Sequence, residues 1–324
     1  MSQIFDALLR SEAERVGTDE VTQAESTRLL QHVEHQVASR WGTALLDPVV
    51  PATSGQVLEW TGSNGKSAHV EKQELAGPGL VAEESGISDL LAQSRVLPIA
   101  AASESRFICL TDKESPTAEA FRLLAVRLRN LRRTRPLKRL LITSSVPREG
   151  KSTVAANLAC TLSQKTEEKI LLIEGDVRRP ALTHMLDLND ASGICELLRG
   201  QNTLRDCLCR LSETGPWILP AGSAPDAPLE LLQSEKLPAL LEQVNAWFDW
   251  IIIDSPPVLP LADTSVWARM VDGILLVTRQ GITEKQQLER ALQALEPGKL
   301  IGALLNCSKV STYSSYYYRS APTS

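Results

Sequence analysis

The sequence predicts an α/β protein: a mainly parallel, doubly wound sheet with helices on both faces. Three observations carry this expectation. A short apolar run, Leu140–Ile142, leads through a loop rich in special residues into a helical pattern that begins at Ser152. Two further runs of buried-strand type, Ile170–Ile173 and Phe248–Asp254, each deliver carboxylates at their C-terminal ends. Apolar runs and amphipathic stretches then alternate along the chain, the pattern that builds parallel strands joined by right-handed helical crossovers.

Bulk composition narrows the function classes. Of 324 residues, 43% are hydrophobic and 23% charged, which is ordinary for a soluble globular protein. A net charge of -5 argues against a general nucleic-acid binder, so no nucleic-acid partner is expected. The six cysteines are scattered, several of them inside apolar runs, and Cys207-Leu208-Cys209 has no second pair to complete a metal site. Reduced, partly buried thiols are expected. No run approaches the roughly 18 apolar residues of a membrane span, and no signal-peptide core is present. The expected location is the cytoplasm, with a partner holding the chain at a membrane.

The loop after Leu140–Ile142 is Ser145-Val146-Pro147-Arg148-Glu149-Gly150-Lys151-Ser152. It is a nucleotide-binding P-loop in which Ser145 stands at the first glycine position. The chemistry needs these residue types in this order. Successive backbone N–H groups and the start of the following helix form a nest for phosphate oxygens. Gly150 lets the backbone come close, Lys151 brings a point charge to the β- and γ-phosphates, and the Ser152 hydroxyl ligates Mg²⁺. A similar run, Gly62–Ser67, has no apolar strand before it and no amphipathic helix after it, and reads as linker.

In chain order, residues 1–41 read as a helical N-terminal segment: Ile4, Leu8 and Leu9 share a face, and Leu30, Val33, Val37 and Trp41 recur at helical spacing. Over 42–106 Gly, Pro, Ser, Ala and Glu dominate and periodicity fades, apart from a short helix around Ile87–Leu91, so a mobile linker is expected. Order resumes at Phe107 and gives a domain over 107–307. Ser115-Pro116 opens an amphipathic helix over Ala118–Leu131, with Phe121, Leu124, Ala125 and Leu128 on one face. Beyond the P-loop helix, Ala181–Leu211 reads as helix broken at Gly193 and Gly200, Trp217–Leu219 as a strand, and Pro228–Trp247 as one or two helices. Gly273–Arg279 reads as a strand, Thr283–Leu295 as a helix, and Leu300–Asn306 as the last strand.

The carboxylates after the strands are the candidate catalytic groups. Glu174, Gly175, Asp176 and Arg178 follow Ile170–Ile173, and Asp254 closes the run that begins at Phe248. Ligands of a doubly wound sheet sit at the C-terminal rim of its strands. A P-loop enzyme holds Mg²⁺ between the loop hydroxyl and a carboxylate such as Asp254. All four tyrosines of the chain, Tyr313, Tyr316, Tyr317 and Tyr318, lie among serines and threonines in 308–324. Tyrosines kept out of the core and gathered on a polar tail read as substrates rather than packing groups.

SSVPREGKST, ILLIEGDVRRP, WIIIDSPP, GILLVTRQG and the terminal tyrosine cluster together resemble the bacterial tyrosine autokinases (BY-kinases) of capsule and exopolysaccharide export, of the free-standing cytoplasmic type. The resemblance implies a P-loop NTPase-like fold and ATP-Mg²⁺ chemistry with transfer to tyrosine. By position, Arg148, Glu149, Gly150, Lys151, Ser152 and Thr153 would hold the phosphates, and Asn306 would lie at the adenine. Ser152, Asp176 and Asp254 would hold the metal, with Lys151, Glu174 and Asp176 as the catalytic set. Glu174 stands where the family has aspartate, and its extra methylene moves the carboxylate by about 1.5 Å. Glu119 and Arg122 match the start of the family's Glu-x-x-Arg-x-x-Arg ring-forming helix, whose third position is Ala125 here.

The resemblance also implies phosphorylation of the tyrosine tail in trans within an oligomer. Its implied partners are a transmembrane polysaccharide chain-length regulator as activator and a phosphotyrosine phosphatase. The competing readings are a partitioning-type P-loop ATPase, which carries a signature lysine where Val146 stands, and a catalytically weak nucleotide-binding scaffold.

Overall fold

The structure is a computed structural model that describes residues 91, 93–97, 107–164, 168–259 and 261–307. The expected N-terminal helical segment, most of the 42–106 stretch, and Tyr313, Tyr316, Tyr317 and Tyr318 lie outside the described residues. The strands are β1 (Arg95–Leu97), β2 (Arg139–Ser144), β3 (Ile170–Glu174), β4 (Cys209–Leu211), β5 (Trp217–Leu219), β6 (Trp250–Asp254), β7 (Gly273–Arg279) and β8 (Leu300–Asn306). The helices are α1 (Ile108–Thr111), α2 (Pro116–Thr134), α3 (Lys151–Ser163), α4 (Ala181–Met185), α5 (Ile194–Arg199), α6 (Leu204–Cys207), α7 (Pro228–Leu232), α8 (Lys236–Trp247), α9 (Asp263–Arg269) and α10 (Lys285–Ala294).

The strands form one sheet in the order β1-β4-β5-β3-β6-β2-β7-β8, parallel throughout except for the antiparallel β4–β5 pair. Both faces are covered, as parallel sheets require, and the twofold alternation along each strand sorts the side chains between them. Leu140, Ile142, Ile170, Leu172 and Ile252 pack with Val154, Leu158 and Leu162 of α3 and Phe121 and Leu128 of α2. Leu141, Leu171, Ile173, Ile251 and Ile253 pack on the other face with Leu241 and Val244 of α8 and Trp267 of α9. α2 begins as its sequence requires: the Ser115 hydroxyl accepts from Ala118 N at 3.2 Å, and Pro116 occupies the first helical position.

Two strands were not anticipated. Arg95–Leu97 pairs in parallel with Cys209–Leu211, so part of the stretch expected as linker is the outer strand of the sheet. Within the stretch expected as helix after Gly200, Cys209–Leu211 is β4. Each has three residues, too few to display an alternation; β1 is held by pairing with the distant β4, and β4 is held between β1 and the nearby β5. Among the described residues no helix is long and apolar enough to cross a membrane.

β6 lies at the middle of this arrangement and Ile252 is fully buried within it. Ile252→Ala is expected to cost about 2–5 kcal/mol, read as a lower urea midpoint with an unchanged slope.

Candidate active site

The sheet order brings the chemistry together. β6 lies directly between β2 and β3, so the P-loop, the residues after Glu174, and Asp254 emerge from three neighbouring strands at one rim. Neighbouring strands are about 4.8 Å apart, so groups far apart in sequence are forced into contact. Asp254 sits opposite Ile142 on one side and Glu174 on the other.

Gly150 caps α3 with φ 90, the left-handed region where glycine is unstrained. A Cβ at this position would run into the Asn306 amide. Among the described residues no side chain caps the helix, so the first-turn N–H groups of α3 are placed to receive a ligand. Thr153 is on this turn, and its carbonyl accepts from Asn157 Nδ2 at 2.9 Å. Arg148 is exposed at φ 70, and Glu149 is fully buried beneath the loop.

Lys151 Nζ lies 3.0 Å from Asp176 Oδ2, 3.4 Å from Asp254 Oδ1 and 3.2 Å from Ser152 Oγ. Burial draws the lysine's pKa down, but Asp254 and Asp176 more than offset this and raise it above its usual value, so it remains an ammonium. Burial pushes Asp254 above the usual carboxylate range, while Lys151 and the Ser152 hydroxyl pull it back. Asp254 Oδ2 is buried and has no hydrogen-bond partner among the described residues. A hard-oxygen donor left in this condition beside a hydroxyl and a second carboxylate suits a Mg²⁺ ion.

Glu174, expected in the catalytic set beside Lys151 and Asp176, has its carboxylate engaged outside this cluster. Its buried carboxylate accepts from Leu182 N (2.6 Å), Thr183 N (3.1 Å), the Thr183 hydroxyl and Ala221 N (3.2 Å). The extra methylene carries it to the start of α4 and the loop after β5, where it ties the site's loops together. Gly175 lets Trp267 approach closely: a Cβ there would stand 2.8 Å from the indole, which donates to the Gly175 carbonyl at 3.2 Å. Asn306 also faces inward. Its Nδ2 donates to the Glu149 carbonyl at 2.9 Å, and its Oδ1 accepts from Cys307 N at 2.9 Å.

Residues 148–289 match the model of an AAA domain. The tyrosine-protein kinase YwqD of Bacillus subtilis is 34% identical over 213 residues, which are 65% of this chain and 90% of that protein. The chain belongs to the bacterial tyrosine-kinase family. The tyrosine-protein kinase CpsD of Streptococcus agalactiae is 33% identical over 55% of this chain and 80% of its own length. Among solved structures, the chimerical protein CapA2B2 superposes with a TM-score of 0.60 at 26% identity, over 70% of this chain and all of that one. The kinase domain of the Escherichia coli tyrosine kinase ETK gives a TM-score of 0.59 at 26% identity, over 70% of this chain and 94% of that one.

The residues expected to form the assembly helix lie on α2. Glu119 and Arg122 form a 2.7 Å ion pair with each other, and each is about two-fifths exposed. Ala125 is buried in the core and cannot stand in for an arginine. Arg129 is committed to Glu168 at 2.8 Å and to the Leu162 carbonyl. Two positioning groups carried no local signal in the sequence. Asp263, buried at the start of α9, grips Arg178 at 2.6 and 3.2 Å and so steadies the loop bearing Asp176. Thr283 reaches the Glu149 carboxylate from the turn after β7.

Burial pushes Glu174 up to about 7, against the pull of the Thr183 hydroxyl. The folded protein therefore keeps a proton that the unfolded chain releases near 4.5. Its contribution to stability is full below that value and falls as pH rises towards about 7. Glu174→Gln is expected to abolish this slope. By facing an amide towards converging donors, the substitution should also lower the melting temperature by about 4–8 °C, a loss of about 2 kcal/mol. Thermal unfolding at mildly acidic and neutral pH checks both effects.

Proposed function

We propose that this chain transfers the γ-phosphoryl group of MgATP to tyrosines of its own C-terminal cluster, Tyr313, Tyr316, Tyr317 and Tyr318, presented by a second copy. The observation that carries this reading is the buried contact of Lys151 with Asp176 and Asp254 at the mouth of the P-loop. Family membership supplies the reaction type. Lys151 and the first-turn amides of α3 hold the β- and γ-phosphates and offset the charge that builds on the transferring group. Ser152, Asp254 and Asp176 would hold Mg²⁺, which supplies further charge neutralisation at the phosphates when bound. The tyrosine oxygen attacks the γ-phosphorus, the bond to the β-phosphate oxygen breaks, and ADP departs. Asp176 takes the phenol proton, since the Glu174 carboxylate is committed to backbone donors. Asn306 and the end of β8 border the space for the adenine.

Self-association uses the half-exposed Glu119–Arg122 pair, flanked on α2 by the exposed Leu123 and Val126. Each tail phosphate adds about -1.5 to -2 charges at neutral pH. Several together repel the acidic site and one another and favour release from the oligomer. A transmembrane polysaccharide chain-length regulator recruits the chain to the inner face of the plasma membrane and activates it. A phosphotyrosine phosphatase resets it, and the cycle regulates capsule or exopolysaccharide synthesis and export. Val146, where a partitioning ATPase carries its lysine, weighs against that alternative.

The test mixes two variants in the presence of MgATP. One carries Lys151→Met with an intact tail; the other has an intact site and phenylalanine at all four tail tyrosines. Phosphotyrosine is expected on the Lys151→Met chain only when its companion is present. Release of free phosphate without phosphotyrosine would identify an ATPase instead.

A further inference from the structure

Glu149 is expected among the nucleotide-binding residues, yet its carboxylate faces the protein interior. Val146 N donates to one of its oxygens at 2.9 Å, and the Thr283 hydroxyl donates to the other. Thr283 Oγ1 in turn accepts from Arg279 N at 2.8 Å, which fixes the hydroxyl's direction. Arg279 Nη1 donates to the Arg148 carbonyl at 3.1 Å, and Asn306 Nδ2 donates to the Glu149 carbonyl at 2.9 Å. The phosphate loop is therefore gripped at 148 and 149 by the end of β7, the turn after it and the end of β8, and Glu149 passes this hold on to Val146. The loop has reason to need this. Arg148 has a left-handed backbone at φ 70, where a Cβ is strained, and Ser145 replaces a glycine. Burial raises Glu149 above the usual carboxylate range, and the donations from Thr283 and Val146 pull it back.

We infer that Thr283 is a positioning residue for nucleotide binding, acting through Glu149 to hold the loop amides in their phosphate-binding shape, and that the left-handed Arg148 creates the dependence. The inference rests on the reading of this loop as the ATP site. A nucleoside triphosphate is sensitive to the brace because it draws on several loop amides at once. A ligand that used only the Lys151 charge would not be.

The experiment compares the full chain with Thr283→Ala, Thr283→Ser and Thr283→Ala combined with Arg148→Gly. A fluorescent ATP analogue is titrated with Mg²⁺, and hydrogen exchange of the loop amides is followed without nucleotide. Thr283→Ala is expected to weaken binding about tenfold, to raise KM for ATP more than it lowers kcat, and to speed exchange at Val146. Thr283→Ser restores all three, and adding Arg148→Gly to Thr283→Ala slows exchange at Val146 back towards the wild-type rate. Affinity and exchange unchanged in Thr283→Ala overturn the proposal. So does a serine variant as weak as the alanine one when both melt like the wild type. Failure of the unsubstituted chain to bind MgATP overturns the ATP reading itself, and the exchange measurement then decides the brace separately.

Discussion

One buried ammonium facing two buried carboxylates is the constraint on which the rest of this structure depends. Lys151, Asp176 and Asp254 are all nearly inaccessible, and a charge in that position is tolerated only when paired. Removing one partner from such a cluster typically costs about 3–5 kcal/mol, so the geometry is enforced by folding as well as by chemistry. The strand order makes the cluster possible. With β6 inserted between β2 and β3, three loops that never meet in sequence share one rim. Lys151 leaves one oxygen of Asp254 without a hydrogen-bond partner among the described residues.

The site's other acidic groups have a different task. Glu174 and Glu149 point away from the lysine and satisfy backbone donors: those of α4 and the loop after β5 in one case, and those of the phosphate loop in the other. Each such bond is worth about 0.5–1.5 kcal/mol net to a neutral acceptor and about 1.5–3 kcal/mol to a charged one, and several together fix a loop that its own sequence leaves loose. The rim thus divides its carboxylates into those that face Lys151 and those that hold the frame. The frame extends further through Arg178 on Asp263 and through the Trp267 indole on the Gly175 carbonyl.

Much of this was legible in the sequence because the signals are local. The P-loop string, the apolar runs ending at Glu174 and Asp254, and the seven-residue β7 and β8 are each written in consecutive residues. β1 was not legible, since its partner lies more than a hundred residues away, and β4 was not because three residues are too short to show a strand's alternation. Among site residues, Lys151, Ser152, Asp176 and Asp254 meet as expected. Glu174 follows the right strand, but its destination depends on where α4 and the loop after β5 come to rest. Thr283 and Asp263 were invisible for the same reason: a threonine in a turn and an aspartate at a helix start acquire meaning only from what the fold sets against them.

The central claim is that the oxygens around Lys151 form one metal–nucleotide site. The most direct measurement is the Mg²⁺ dependence of ATP affinity in the unsubstituted chain and in Asp254→Asn, both at constant ionic strength. Magnesium should tighten ATP binding by about tenfold or more in the former and leave the variant almost unchanged. The same gain from magnesium in both would contradict the account.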